Sequence, residues 1–225
     1  MSACFLREIC NGKDCDKDFC LRKYKMDSLY TAACMSESQK KRITLKIDAD
    51  GTDLEQFKQL AAIENDIINF VKEGKNLYLH SANCGNGKSS WSVRLAQAYF
   101  NKIWARTESK CRVLFVSVPR YLLAIKDNIS NRNEYAEYIK ENVLDADLVI
   151  FDDLAAKMGS EFELTHLLNI IDNRISLGKS NIYTTNLNRQ QLYNALGERL
   201  TSRVANMSID IELFGADKRV LANGG

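Results

Sequence analysis

Proline is almost missing from this chain of 225 residues, Pro119 being the single one, and histidine and tryptophan occur twice each. Pro-rich linkers and low-complexity tracts are thereby excluded, and no internal repeat is visible. No apolar run is long enough to span a bilayer, and the N-terminus, MSACFLREIC, lacks the apolar centre of a signal peptide. The expected location is therefore the cytoplasm. Charge of one sign is missing too: 31 Lys and Arg against 29 Asp and Glu leave a net charge of +2. Totals so balanced give no strongly basic surface but can hide a local patch, so composition neither supports nor excludes nucleic-acid binding.

What is present is ordinary for a soluble globular protein, with 45% hydrophobic and 27% charged residues. The length suits one domain of common size plus a small appendage. The seven cysteines are unevenly placed. In a reducing compartment they point to a metal site or isolated buried thiols, not to a disulfide framework. Five fall in residues 1–34, around ICNGKDCDKDFC with its two consecutive C-x4-C spacings. Four thiolates in a compact loop suit tetrahedral zinc. Cys10, Cys15 and Cys20 match the spacing, and Cys4 is the better fourth ligand because Cys34 lies beyond a helix over 21–33. Free thiols in a weakly folded tail are the alternative. Residues 35–52 read as a polar linker, which divides the chain into a cysteine-rich region with its linker, 1–50, and a larger domain, 51–225.

The larger domain is organised around residues 76–91, NLYLHSANCGNGKSSW. A short apolar strand runs into a glycine-containing loop and then directly into a helix. Backbone N–H groups of such a loop converge on an anion, and the helix dipole adds to the attraction. The pattern G-x-x-x-x-G-K-[ST] is met by Ala82, Asn83, Cys84, Gly85, Asn86, Gly87, Lys88 and Ser89, with alanine in place of the first glycine; Ser90 follows in the first helical turn. Lys88 is expected on the β- and γ-phosphates of a nucleotide and Ser89 on Mg²⁺. A tight turn with an exposed lysine is the competing reading.

A helix is expected over 53–73 from the spacing of Phe57, Leu60, Ile63, Ile67, Phe70 and Val71. Beyond it, strands at 77–80, 111–118, 147–151, 182–185 and 209–214 alternate with helices at 89–104, 121–129, 134–142, 161–176 and 189–205. Near-continuous apolar strands separated by helices indicate an α/β fold, a parallel five-stranded sheet covered on both faces. The third strand ends in DLVIFDDL. A carboxylate at the C-terminal edge of a parallel strand faces the crevice where ligands bind. Asp152 is expected to contact Mg²⁺, and Asp153 to orient or deprotonate an attacking water. The fourth strand, NIYTTNLN, brings Thr185 and Asn186 to the same crevice, unless Asn186 or Asn188 merely caps the next helix. In LGERLTSRVAN, Arg199 and Arg203 share one helix face, with Glu198 and Asp210 as the nearest candidate partners.

CGNGKSSW, VIFDDL, YTTNL and GERLTSRV, in this order and spacing, resemble the AAA+ ATPases of the DnaC/DnaI helicase-loader type, including IstB-like and phage-encoded members. The resemblance covers essentially the whole chain and is most specific over 53–225. It implies a P-loop NTPase fold with the helical lid absent or vestigial, a Walker A motif at 82–89 and a Walker B pair at Asp152 and Asp153. It also implies sensor 1 at Asn186 and an arginine finger at Arg203. ATP or ADP with Mg²⁺ would be the ligand, the replicative DNA helicase and single-stranded DNA the partners, and an ATP-dependent homo-oligomer the working form. The N-terminal cysteines resemble a small zinc-binding, helicase-contacting domain. Lys126 and Arg132 are named as DNA contacts without a motif behind them, and the 215–219 stretch as a basic contact to nucleotide. An IstB-like transposition helper and a protein that sequesters a helicase or loader are the alternatives, with a small-molecule P-loop kinase more distant.

Overall fold

The computed structural model describes residues 20–45, 51–108, 110–156 and 160–218. Two helices, α1 (Leu21–Ala32) and the four-residue α2 (Glu37–Lys40), precede α3 (Leu54–Asn65) and α4 (Ile67–Lys72). Strand β1 (Asn76–His80) leads into α5 (Lys88–Ile103), and β2 (Val113–Ser117) into α6 (Val118–Ser130) and α7 (Glu134–Asn142). Strand β3 (Leu148–Asp152), α8 (Glu161–Ser176), β4 (Ser180–Thr185) and α9 (Arg189–Thr201) follow. A π-helical turn (Ser202–Asn206) and β5 (Ile209–Glu212) close the order.

The five strands form one parallel sheet in the order β2-β3-β4-β1-β5. Alternate residues of β1 to β4 feed two separate cores, as the two-residue period of a strand requires, while the edge strand β5 gives Ile211 to the first alone. Leu77, Leu79, Val113, Phe115, Leu148, Ile150 and Ile182 face the helices α1, α3, α4 and α5. Tyr78, Leu114, Val116, Val149, Phe151 and Tyr183 face α6 to α9. Burial on both faces explains why the strands read as unbroken apolar runs.

The apolar stripe predicted as one helix over 53–73 forms two, broken at Asp66, whose φ of −106° and ψ of 25° leave the helical region. Asp66 accepts from Asn69 Nδ2 at 2.7 Å, the local side-chain bonding by which aspartate competes with helix continuation. Phe57, Leu60, Ile67, Phe70 and Val71 still reach one core, so the break is invisible in the apolar spacing. The strand expected over 111–118, with Pro119 as its stop, ends at Ser117, and Pro119 is already helical. It lies in the first turn of α6, where its missing N–H costs nothing.

Residues assigned by sequence to the N-terminal region and linker pack on the sheet. Met26, Leu29 and Tyr30 of α1 are buried in the first core, and Tyr30 meets Phe100 edge-on at 5.2 Å. Phe115 N donates to Ala33 O at 2.8 Å, so the end of α1 covers part of the outer edge of β2. The described residues before position 50 therefore share a core with those after it. Cys4, Cys10 and Cys15 lie outside the described residues. Cys20 serves as the N-cap of α1, its Sγ accepting from Lys23 N at 3.5 Å. Among the described residues no group of three or more His, Cys, Asp and Glu is placed to hold a metal, and no helix is long and apolar enough to cross a membrane.

One buried cation belongs to the scaffold. Arg174 of α8 is fully enclosed and donates to Ala146 O at 2.9 Å, Ser180 O at 2.7 Å, Asn181 Oδ1 at 2.6 Å and Val143 O. Its fork thus ties the turn before β3 to the start of β4, the strand whose far end carries part of the candidate site.

Candidate functional site

Register brings three strand ends together. His80 of β1 stands opposite Thr185 of β4, and Phe151 of β3 opposite Tyr183. Because β4 lies between β1 and β3, whatever follows its last residue sits between the loop after β1 and the acids that end β3.

The loop after β1 needs two glycines, Gly85 at φ 71° and Gly87 at φ 108°, both in the left-handed region. Gly87 is the N-cap of α5 and offers no side chain, so the first N–H groups of that helix are left for an incoming anion. Ala82 adopts no positive φ; among the described non-glycine residues only Cys34, Asp53, Asp153 and Ala155 do. The first letter of the motif therefore has no conformational need for glycine here. The Ser81 hydroxyl organises the interior, accepting from Asn83 N at 3.0 Å and Asn86 Nδ2 at 2.5 Å. Lys88 is buried, and its ammonium donates to Asn83 O at 2.8 Å and Asn86 Oδ1 at 3.2 Å. This excludes the exposed-lysine turn. Cys84 is exposed at the loop tip.

Across the crevice, Asp152 is 9% exposed and is held by the Thr184 hydroxyl, whose Oγ1 donates to Asp152 Oδ1 at 2.6 Å; the Ser89 hydroxyl also favours the Asp152 anion. Burial pushes the Asp152 carboxyl above the ordinary carboxylate range; the Thr184 and Ser89 hydroxyls pull it back, the Asp153 charge adds to the rise, and the Lys88 charge opposes it. The helix of the phosphate loop and the acidic strand end thus face each other at Ser89 and Asp152. Asp153 lies at φ 56°, a conformation unusual for aspartate, and its N–H donates to Thr184 Oγ1 at 3.1 Å.

Thr184 was not singled out by the sequence, yet it is the hinge between the two acids. Thr185, which was, serves the local fold instead. Its hydroxyl donates to Leu154 O at 2.7 Å and accepts from Leu187 N at 3.3 Å. Asn188, not Asn186, caps α9, through a reciprocal capping box with Gln191. Asn186 is half-buried, one residue past the end of β4.

The arginine pair is placed differently from the simple helix expected. Gly197 breaks α9 at φ 75° and ψ 171°, and a π-helical turn carries Arg203. Both arginines converge on Asp172 of α8, Arg203 through Nε and Arg199 through Nη2 at 3.8 Å. Neither Glu198 nor Asp210 is that shared partner; the Asp210 carboxylate instead pairs with His80 Nε2 at 2.9 Å. Arg203 also approaches Met207, whose carbonyl accepts from Asn76 at the start of β1. Arg203 therefore sits at the opposite end of β1 from the phosphate loop. Lys126 and Arg132 are engaged within the chain, with Glu163 at 2.8 Å and Glu137 at 2.7 Å. Of the 215–219 stretch, residues up to Lys218 are described, and they cross the phosphate loop; Arg219 lies outside the described residues.

The parallel order β2-β3-β4-β1-β5, the loop entering α5 and the acidic end of β3 define the fold of a P-loop NTPase of the AAA+ kind. Comparison with known proteins agrees. The chain is similar to the replicative helicase loader DnaC of Escherichia coli (strain K12), 28% identical over 127 residues, which is 56% of this chain and 49% of that protein. It thus spans about half the length of the relative it matches. The crystal structure of the DnaC helicase loader superposes with a TM-score of 0.58 at 20% identity, covering 76% of this chain and 93% of that one. The crystal structure of DnaI superposes with a TM-score of 0.56 at 22% identity, covering 69% and 83%. No protein-family model matches the chain. The sequence is thus similar to DnaC-type helicase loaders, and the fold is the one those solved structures share.

Proposed function

We propose that this protein is an ATP-dependent loader of the replicative DNA helicase, binding and hydrolysing Mg-ATP and assembling on single-stranded DNA through an arginine-finger interface. The observation that carries the nucleotide part is the convergence of Lys88, Ser89 and Asp152 on one crevice. A buried lysine beside a glycine loop fits a polyphosphate, and a buried carboxylate facing a serine hydroxyl fits the hard oxygen set that Mg²⁺ takes. Bound Mg-ATP would supply the scissile phosphoanhydride and a Lewis acid to polarise it. Ser89 and Asp152 would hold the metal, Lys88 the β- and γ-phosphates, and Asp153 would orient the attacking water. Asn186 would hydrogen-bond the γ-phosphate or that water.

The position of Arg203 supports action on a neighbour. β1 has five residues, and at ~3.3 Å per residue the phosphate loop lies on the order of 15 Å from the start of the strand. An arginine anchored at that start does not reach its own site, so its role would be in the site of the next protomer. The helicase and DNA parts rest on the resemblance to DnaC, with the N-terminal region as the helicase contact.

Affinity capture of a replicative helicase on the immobilised full chain tests the partner. Removing residues 1–19, which leaves the packed α1 intact, is expected to abolish capture. Lys88→Ala is expected to abolish ATP binding and Asp153→Asn to preserve binding while blocking turnover. Full helicase loading by both variants would end the ATPase reading of the function.

A further inference from the structure

After β5 the chain does not leave the site; it returns across the phosphate loop. Leu213 N donates to His80 O at 2.9 Å, and Phe214 N and Gly215 N donate to the two carboxylate oxygens of the buried Asp53 at 2.7 and 2.9 Å. From the loop side, Asn86 Nδ2 donates to Leu213 O at 3.3 Å, and Asn83 Nδ2 to Phe214 O and Gly215 O at 2.9 and 3.2 Å. Lys218 N then donates to Gly85 O at 3.0 Å, and its ammonium lies 5.0 Å from the centre of the Phe57 ring. The Asp217 carboxylate rests directly on Gly85: a β-carbon built there would fall 1.8 Å from Oδ1 and 2.6 Å from Oδ2.

Two physical features of this contact matter. First, Asn83 and Asn86 face both ways. Each supplies an oxygen to Lys88 and an amide NH₂ to the returning segment, so the lysine and the segment are held by the same two residues. Second, the Asp217 carboxylate lies against Gly85, on the loop read as the anion site. A nucleotide polyphosphate entering this loop meets a negative group already in place, and like charges at such range in a protein repel appreciably.

We propose that residues 213–218 form an autoinhibitory strap, in which the Asp217 carboxylate lies against Gly85 of the phosphate loop and must be displaced when a nucleoside triphosphate binds. The proposal rests on the reading of the loop as a nucleotide site. It implies a coupling in both directions: nucleotide frees the strap, and anything that lifts the strap raises nucleotide affinity.

The test is calorimetric titration of the full chain with Mg²⁺ and a non-hydrolysable ATP analogue, ADP or adenosine. The chains compared are wild type, Asp217→Asn and Asp217→Ala, with folding checked by thermal melting. Both variants are expected to bind the triphosphate about tenfold more tightly, with a smaller gain for ADP and none for adenosine, because the repulsion scales with ligand charge. Tryptic cleavage after Lys218 is expected to accelerate when the triphosphate is added to wild type. Weaker binding by both variants would overturn the strap and make Asp217 a nucleotide ligand; unchanged affinity would overturn it as well. Triphosphate binding that is lost in Lys88→Ala while Asp217 variants match wild type refutes the strap and leaves the nucleotide site standing. If no chain binds nucleotide, the site reading fails and the strap falls with it.

Discussion

Thr184→Val is the sharpest perturbation of the acidic strand end, because valine keeps the shape of threonine and removes only the hydroxyl. That hydroxyl donates to Asp152 at 2.6 Å and accepts from Asp153 N at 3.1 Å, in a residue 1% exposed. Loss of a hydrogen bond to a charged group costs ~1.5–3 kcal/mol, and a buried N–H left without its acceptor adds ~1–3 kcal/mol. Some relaxation is shared between the two, so a total of ~2–4 kcal/mol is expected, a large part of the ~5–15 kcal/mol that holds a typical domain folded. The loss depends on pH with a definite sign. Burial holds the folded pKa of Asp152 above its unfolded value, so the stability this group contributes is complete only below the unfolded pKa and is lost as pH rises through the folded one. The Thr184 bond favours the anion, so its removal raises the folded pKa further. The difference between variant and wild type is therefore largest at neutral pH and shrinks as pH falls to ~4, near the ordinary aspartate value. Urea denaturation at a series of pH values measures it. A destabilisation below ~0.5 kcal/mol, within the range of an ordinary surface substitution, would refute the bridging role, as would one that is flat from neutral to acid pH.

Other expectations concern the scaffold. Arg174→Leu should destabilise by ~3 kcal/mol or more, since it strands three buried backbone carbonyls and Asn181. Arg174→Lys should recover little, because one ammonium does not reproduce the fork; denaturant midpoints of both variants check this. Gly197→Ala places a side chain at φ 75° and ψ 171°, open only to glycine, and should cost ~1–3 kcal/mol in the same assay. It should also lower assembly-dependent ATPase activity more than nucleotide affinity, because the break aims the segment that carries Arg203.

What the sequence made legible follows from how locally each feature is encoded. The phosphate loop, the acid pair and the alternation of strands and helices are short-range patterns, and all five strands lie within a few residues of where apolar runs place them. The helix breaks at Asp66 and Gly197 escaped because the apolar spacing continues through both. Thr184 escaped because a strand buried on both faces gives no sign of which neighbour takes its hydroxyl. Asp172 lies 31 residues before Arg203 and meets it only through the packing of α8 on the segment after α9. In the described part of the N-terminal region the cysteine spacing masks a weaker signal, the apolar residues Met26, Leu29 and Tyr30 that bury α1 in the first core. Leu213 and Phe214 read as the end of the last strand and 215–219 as a basic contact to nucleotide; only the folded chain puts the Asp217 carboxylate against Gly85.

Arg203 is proposed to complete, from another protomer, a site of which the loop around Lys88 is only half. The most direct measurement is ATP turnover per protomer against protein concentration, with single-stranded DNA present, for wild type, Arg203→Ala and an equimolar mixture of Arg203→Ala with Lys88→Ala. Specific activity is expected to rise with concentration in wild type and to collapse in each single variant. In the mixture partial return is expected, because an intact loop then meets an intact arginine across the interface. Turnover that does not change with concentration, or Arg203→Ala at wild-type rate, would contradict the shared site and leave Arg203 as the structural partner of Asp172.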